Sequence, residues 1–273
     1  MNMLASIDGI LSSGIPDDIL TKSEKADASI DISPDYALEG LNLKSDIPLE
    51  KIIAAVKNFR DGTRRPEVDR PRMSILLSGI PGGGKTAFAR YLAKEVGAKL
   101  RSCRASDLLS KWIGESEKAL ASAFRTAASE NEILFLDEVD SFLMSREGAI
   151  HSWESSGVNE LLQQMEAFPG VLIAATNLAD NLDAASLRRF TFKLQLDYLT
   201  DEGKRIFYAR YFKSELSETE AKRLDRIDNL APGDFRTVKE RLFYVCENET
   251  NADRLSALEA EASAKHANAR IGF

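Results

Sequence analysis

The sequence predicts an α/β fold: a five-stranded parallel sheet flanked by helices, followed by a small α-helical domain. Three observations carry that prediction. Five short apolar stretches alternate with helix-like ones between Ser74 and Leu199. One junction, "SGIPGGGKTAFAR" from Ser78 to Arg90, is a glycine-rich turn between a strand and a helix. After Leu199 the strand-like stretches stop and helical patterns take over. Strands joined through helices become parallel neighbours, because each crossover carries the chain back over a sheet face.

Residues 1–40 are acidic, rich in Ser, Asp and Ile, and broken by Pro16 and Pro34 without sustained periodicity, so they read as a flexible arm or linker. "IPLEKIIAAVKNF" places apolar residues at helical spacing, and "DGTRRPEVDRPRM" interrupts it with one glycine and two prolines. The strand "SILLSGI" leads into the helix "GKTAFARYLAKEVG", which Gly97 stops, and "KLRSCRA" alternates as a strand does. Next come the helix "ESEKALASAFRTAASE", the apolar strand "EILFLDEVD", the helix "SGVNELLQQMEAF" and the strand "GVLIAATN". A short helix around "DAASLRR" and the strand "TFKLQLDYL" complete an α/β domain over residues 41–199. "DEGKRIFYARYFKSE", "SETEAKRLDRI" and "GDFRTVKERLFYVCEN" make residues 200–249 a helical domain, with residues 250–273 one more helix or a tail.

Composition narrows the function classes. A chain of 273 residues with 44% hydrophobic and 29% charged residues has the balance of a soluble globular protein. No apolar run of about eighteen residues is present to span a membrane, and the N-terminus lacks the pattern of a secretory signal, so a cytoplasmic protein is expected. Cys103 and Cys246 are far apart and lack metal-ligand spacing, and the histidines are only His151 and His266; neither a disulfide nor a zinc site is expected. The first fifty residues hold ten acidic residues and three lysines, which is the whole net charge of −7. The neutral remainder has no basic stripe and so lacks the footprint of a protein built to hold nucleic-acid phosphates.

The glycine-rich turn carries chemistry. Gly79, Gly84, Lys85 and Thr86 fit G-x-x-x-x-G-K-[ST] between a strand and a helix, the context in which backbone N–H groups and a helix N-terminus cradle a polyphosphate. Ile80, Pro81, Gly82, Gly83 and Ala87 complete the cradle. Lys85 would reach the β- and γ-phosphates of ATP, and the Thr86 hydroxyl would ligate Mg. At the end of "ILFLDEVD", Asp137 can hold the Mg and Glu138 can polarise a water for in-line attack.

From about Leu41 to Val245 the chain resembles the AAA family within the AAA+ ATPases, P-loop NTPases with an α-helical lid. "GIPGGGKT" matches the family's Walker A motif and "ILFLDE" its Walker B. "LIAATN" resembles the sensor 1 strand, which implies that Asn177 orients the attacking water or touches the γ-phosphate. "NLDAASLRRFTFK" resembles the arginine-finger segment, with two residues between the family's arginines missing; Arg188 and Arg189 are both candidates, Arg188 ahead. "LAPGDFRTV" falls where the family's lid helix meets the nucleotide, which implies Gly233 near the base or ribose and Asp234 capping the helix; Arg236 is off the offset of a sensor 2 arginine. "LEGLNLK" is a worn form of the segment that leads into the domain, implying adenine contacts from Gly40 and Leu41.

An arginine finger acts on a neighbouring protomer's ATP, so the resemblance implies a homo-oligomer, a hexameric ring. "SKWIGESEK" is most similar to pore loop 1 of the katanin and spastin group, with Trp112, Ile113 and Gly114 lining a central pore and Lys111 flanking them. A buried core tryptophan is the competing reading. "SREGAIHSWESSGVNELLQQME" covers the second pore loop, where His151 and Trp153 face the channel or sit in a solvated loop. The function expected is an Mg-ATP-hydrolysing ring that remodels or unfolds a protein client. An assembly chaperone for one specific partner would use the same ring and loops. A clamp-loader or branch-migration ATPase is disfavoured by the neutral body and the Lys-Trp-Ile-Gly loop.

Overall fold

The computed structural model describes residues 38–62, 72–108, 115–140, 152–178 and 184–270. Residues 1–37, the proposed pore loop Lys111–Gly114 and His151 lie outside them.

A six-stranded sheet forms the centre, in the order β1-β6-β2-β5-β4-β3. The five expected strands are β2 (Met73–Gly79), β3 (Leu100–Arg104), β4 (Ile133–Asp137), β5 (Val171–Thr176) and β6 (Phe192–Asp197), all parallel to their neighbours within this set. The sixth, β1 (Asn42–Lys44), adds an antiparallel edge beside β6 and was not expected. Three residues with one apolar side chain, Leu43, show no periodicity. What holds the strand lies far away in sequence: Asn42 donates to the Tyr198 carbonyl at 2.7 Å, and Lys44 pairs with Asp197 at 2.6 Å.

The inner strands are apolar on both faces because both faces are covered. With a period of two, Ile75, Leu77, Ile133, Phe135, Ile173 and Ala175 point to one side, and Leu76, Leu134, Leu136, Leu172 and Ala174 to the other. The first side packs on α1 (Leu49–Arg60), through Ile52 and Val56, and on α2 (Lys85–Glu95), through Phe88 and Leu92. After a short α3 (Ala105–Leu108), the second side packs on α4 (Glu115–Ser129) and α5 (Ser152–Ala167). Phe124 and Phe168 meet edge to face there, with ring centroids 5.1 Å apart. The short helix α6 (Ala184–Leu187) precedes β6.

Beyond β6 the chain is helical: α7 (Asp201–Phe212), α8 (Glu218–Asp225), α9 (Pro232–Val245) and α10 (Asn251–Arg270). Phe207, Tyr208, Phe212, Leu224, Phe235, Val238, Leu255 and Leu258 bury a core of their own. Residues 251–270 are thus a helix with buried contacts. Caps set two of the starts: the Thr200 hydroxyl accepts from the Gly203 amide at 3.1 Å, and Ser217 and Glu220 form a reciprocal capping box. The fully buried Tyr208 hydroxyl donates to Asn251 at 2.9 Å, fixing α10 to α7.

Leu41, Leu199 and the segment before β1 join the bundle to the sheet. Leu41 packs against both the bundle core and the sheet core, and the Leu199 amide donates to the Leu230 carbonyl at 2.8 Å. At Gly203 the backbones of α7 and the segment before β1 approach so closely that a Cβ there would lie 2.4 Å from the Gly40 carbonyl oxygen. Gly203→Ala should therefore cost about 1–3 kcal/mol of stability through overpacking, measured by urea unfolding; an unchanged midpoint would show that this approach is not tight.

Candidate functional site

Strand β2 delivers the chain into the phosphate loop at Gly79, which pairs with Leu196 of β6. A Cβ on Gly79 would lie 1.9 Å from the Leu196 carbonyl oxygen, so only glycine lets the strand end here. That same carbonyl accepts from the Ile80 amide at 3.2 Å, and the Gly83 amide closes the turn onto the Ile80 carbonyl at 3.2 Å. Gly84 then starts α2 in the left-handed region, φ +96°, with no side-chain cap. The first-turn N–H groups of α2 are left for an anion, and the helix dipole favours one.

Lys85 is only 8% exposed. Its ammonium donates to the Gly79 carbonyl at 2.8 Å, the Ile80 carbonyl at 2.9 Å and Asn177 Oδ1 at 2.6 Å. Burial pushes its pKa below the usual lysine value, against the opposing pull of Asp137 and then Asp140. Thr86 donates to Asp137 Oδ2 at 3.2 Å, while Asp137 Oδ1 accepts from the Glu138 amide at 3.0 Å. Glu138 is exposed, at φ +56°. Lys85, Thr86, Asp137 and Asn177 thus converge from α2 and the carboxyl ends of β4 and β5, the edge at which open α/β sheets bind ligands.

The donor set suits magnesium. A hydroxyl and one carboxylate supply hard oxygen ligands, and the rest of an octahedron is left to water and phosphate, the usual sparse protein contribution to such a site. No group of three or more His, Cys, Asp or Glu side chains placed to hold a metal occurs among the described residues.

Two features of the site escaped the sequence reading. Asp140 accepts a hydrogen bond from the Thr176 hydroxyl, which in turn accepts from the Leu178 amide at 3.0 Å, and the Val139 amide donates to the Ala175 carbonyl at 3.0 Å. These bonds clamp the segment carrying Glu138 to the end of β5, next to Asn177. The available signal was a third acidic residue in "DEVD". The second feature is a backbone contact: the Gly233 amide donates to the Gly82 carbonyl at 3.0 Å, so the start of α9 rests on the phosphate loop itself.

The remaining candidates are dispersed. Gly40 lies against α7, where a Cβ would be 3.1 Å from Ile206 Cβ, and Leu41 is partly buried between the two cores. Asp234 caps α9 by accepting from the Ala231 amide at 2.6 Å. Arg188 is exposed in the turn after α6, whereas Arg189 is paired with Glu166 of α5 at 3.1 Å and its carbonyl accepts from Ser74 at 2.8 Å. Arg236 is on the exposed face of α9, 3.8 Å from Glu240. Lys111, Trp112, Ile113 and Gly114 fall outside the described residues, and Trp153 is in α5.

Comparison with known proteins places this geometry. Residues 75–198 match the ATPase family associated with various cellular activities (AAA). Spastins of Drosophila erecta and Drosophila melanogaster are 32% identical over 204 residues, covering 70% of this chain and 27% of each spastin. The chain therefore spans about a quarter of the length of these relatives. Its fold is similar to that in the crystal structure of the FIGL-1 AAA domain in complex with ADP, with a TM-score of 0.63 and 21% identity over 93% of this chain and 91% of that one. With a strand-ended glycine-rich loop, the carboxylates of Asp137 and Glu138 at and just beyond the end of β4, and a family match over residues 75–198, the chain carries an AAA ATPase domain.

Proposed function

We propose that this chain binds Mg-ATP, hydrolyses it at the interfaces of a hexameric ring, and uses the steps to remodel or unfold a protein client drawn over central pore loops. The observation that carries the catalytic part is the meeting of Lys85, Thr86, Asp137 and Asn177 on one sheet edge. The backbone N–H groups from Gly79 to Ala87 hold the phosphates, and Lys85 is within reach of the terminal ones because α2 begins where the loop ends. Thr86 and Asp137 hold the Mg, which neutralises phosphate charge when bound. Glu138 takes the proton of the attacking water, and Asn177 fixes that water or the γ-phosphate. Gly233 presses on the loop from the α9 side, with Gly40 and Leu41 bordering the base from the joint between sheet and bundle.

Arg188 acts in trans. Arg189 is already engaged with Glu166 inside its own protomer, whereas Arg188 is exposed. Similarity to spastins supports a protein client, and the Lys-Trp-Ile-Gly loop gives the surface to hold it: tryptophan offers a large amphipathic face that makes no demand for one side chain. An assembly chaperone seating one partner would use the same parts. A cytoplasmic location is part of this proposal; among the described residues no helix is long and apolar enough to cross a membrane.

Glu138→Gln should retain ATP binding and lower turnover at least about 100-fold; near-normal hydrolysis would remove Glu138 from the role of base. Arg188→Ala should lower turnover about 1,000-fold, and adding the Glu138→Gln protein, whose Arg188 is intact, should restore activity at mixed interfaces. If Arg189→Ala is the damaging change and Arg188→Ala is silent, the assignment reverses. Trp112→Ala should leave basal ATPase within about twofold and abolish client processing in an unfolding assay; a fall of several degrees in Tm would instead mark a core residue.

A further inference from the structure

We propose that Lys265, on α10, is a positioning residue for nucleotide binding: through Asp234 it holds the start of α9 against the phosphate loop. The inference rests on the nucleotide reading above and assigns the C-terminal helix a part in it. Asp234 is the third residue of α9, and its side chain is 9% exposed. Its Oδ2 accepts from two donors, the Ala231 amide at 2.6 Å and the Lys265 ammonium at 2.5 Å. The same ammonium donates to the Asn229 carbonyl at 3.1 Å and lies 5.6 Å from the centroid of the Tyr198 ring. Asn229 is itself in the left-handed region, at φ +59°. One cation therefore grips both ends of the turn from Asn229 to Asp234.

Gly233 lies within that turn and makes the contact with Gly82. Neither residue has a side chain, and a Cβ on Gly233 would come within 3.1 Å of Gly82 Cα and 3.2 Å of the Gly82 carbonyl oxygen. A contact of bare backbones has little packing to keep it in register, so its position is set from behind, by whatever fixes the turn. Removing the ammonium leaves a nearly buried carboxylate with its charge uncompensated, and the turn must shift toward water to relieve it. The cost appears where the turn meets the loop, and therefore in nucleotide affinity.

The test uses the full chain with Lys265→Met, which removes the charge and keeps an apolar stem beside Tyr198, together with Lys265→Arg, Asp234→Asn and the Lys265→Met/Asp234→Asn double variant. ADP affinity is read by calorimetry, hydrogen exchange over residues 229–234 by mass spectrometry, and KM and kcat for ATP separately. Lys265→Met should weaken ADP binding about tenfold, speed exchange in that segment, and raise KM more than it lowers kcat. Lys265→Arg should stay within about twofold of the parent, and the double variant should be no weaker than the worse single one. Parental ADP affinity and exchange in Lys265→Met, or single losses that add in full, would overturn the proposal. If the parent protein itself does not bind ADP, the nucleotide reading fails first; if it binds and Lys265→Met binds equally well, only the positioning role fails.

Discussion

The ammonium of Lys85 sits almost out of water, and the architecture around it answers to that fact. An unpaired buried charge costs several kcal/mol. Here three oxygens accept its protons, the carbonyls of Gly79 and Ile80 and the amide oxygen of Asn177, while Asp137 and Asp140 supply opposite charge nearby. The two carbonyls point inward because the chain turns sharply out of β2, and that turn exists because glycine alone fits against the Leu196 carbonyl. The amide comes from β5 and the carboxylates from the end of β4 and just beyond it. Sheet order then has a chemical meaning: β5 lies between β2 and β4, so one lysine can sense both flanking strand ends.

Most of the fold could be read from the residues. Runs such as "ILFL" and "VLIAA" are apolar at every position because helices cover both sheet faces, and that pattern locates an inner strand without any knowledge of its partners. The glycine-rich turn between β2 and α2 was legible for a related reason, since its geometry is local and Gly82, Gly83, Gly84 and Lys85 are consecutive. What failed to show was held by distant contacts. β1 is three residues long and exists through bonds to residues 195–198. The Thr176–Asp140 bond and the Gly233–Gly82 contact join residues far apart in sequence, and no spacing rule announces them. The adjacent Arg188 and Arg189 look equivalent as letters; they differ because Glu166 on another helix reaches only the second.

The helical bundle buries a core of its own beside that of the sheet. Its core holds aromatic and leucine side chains, with Phe207, Tyr208, Phe212 and Phe235 all buried, and the joint includes Leu41, the backbone bonds at Leu199 and between Gly233 and Gly82, and the Arg210 bond to the Glu39 carbonyl. A single backbone hydrogen bond contributes about 1 kcal/mol net. The residues that the proposal places around the nucleotide are divided between sheet and bundle.

Asp137 divides its two oxygens between different tasks: one faces the Thr86 hydroxyl and the other holds the amide of Glu138. Glu138 stands in a backbone conformation that a non-glycine residue adopts at a cost of about 1–3 kcal/mol, and the Asp137 bond is one of its supports. On the proposed roles, one side chain would set both the cation site and the direction of the proton acceptor. A substitution at Asp137 would then alter metal preference and the direction of the base together, and variation that tunes the rate alone would fall on the neighbouring strand ends.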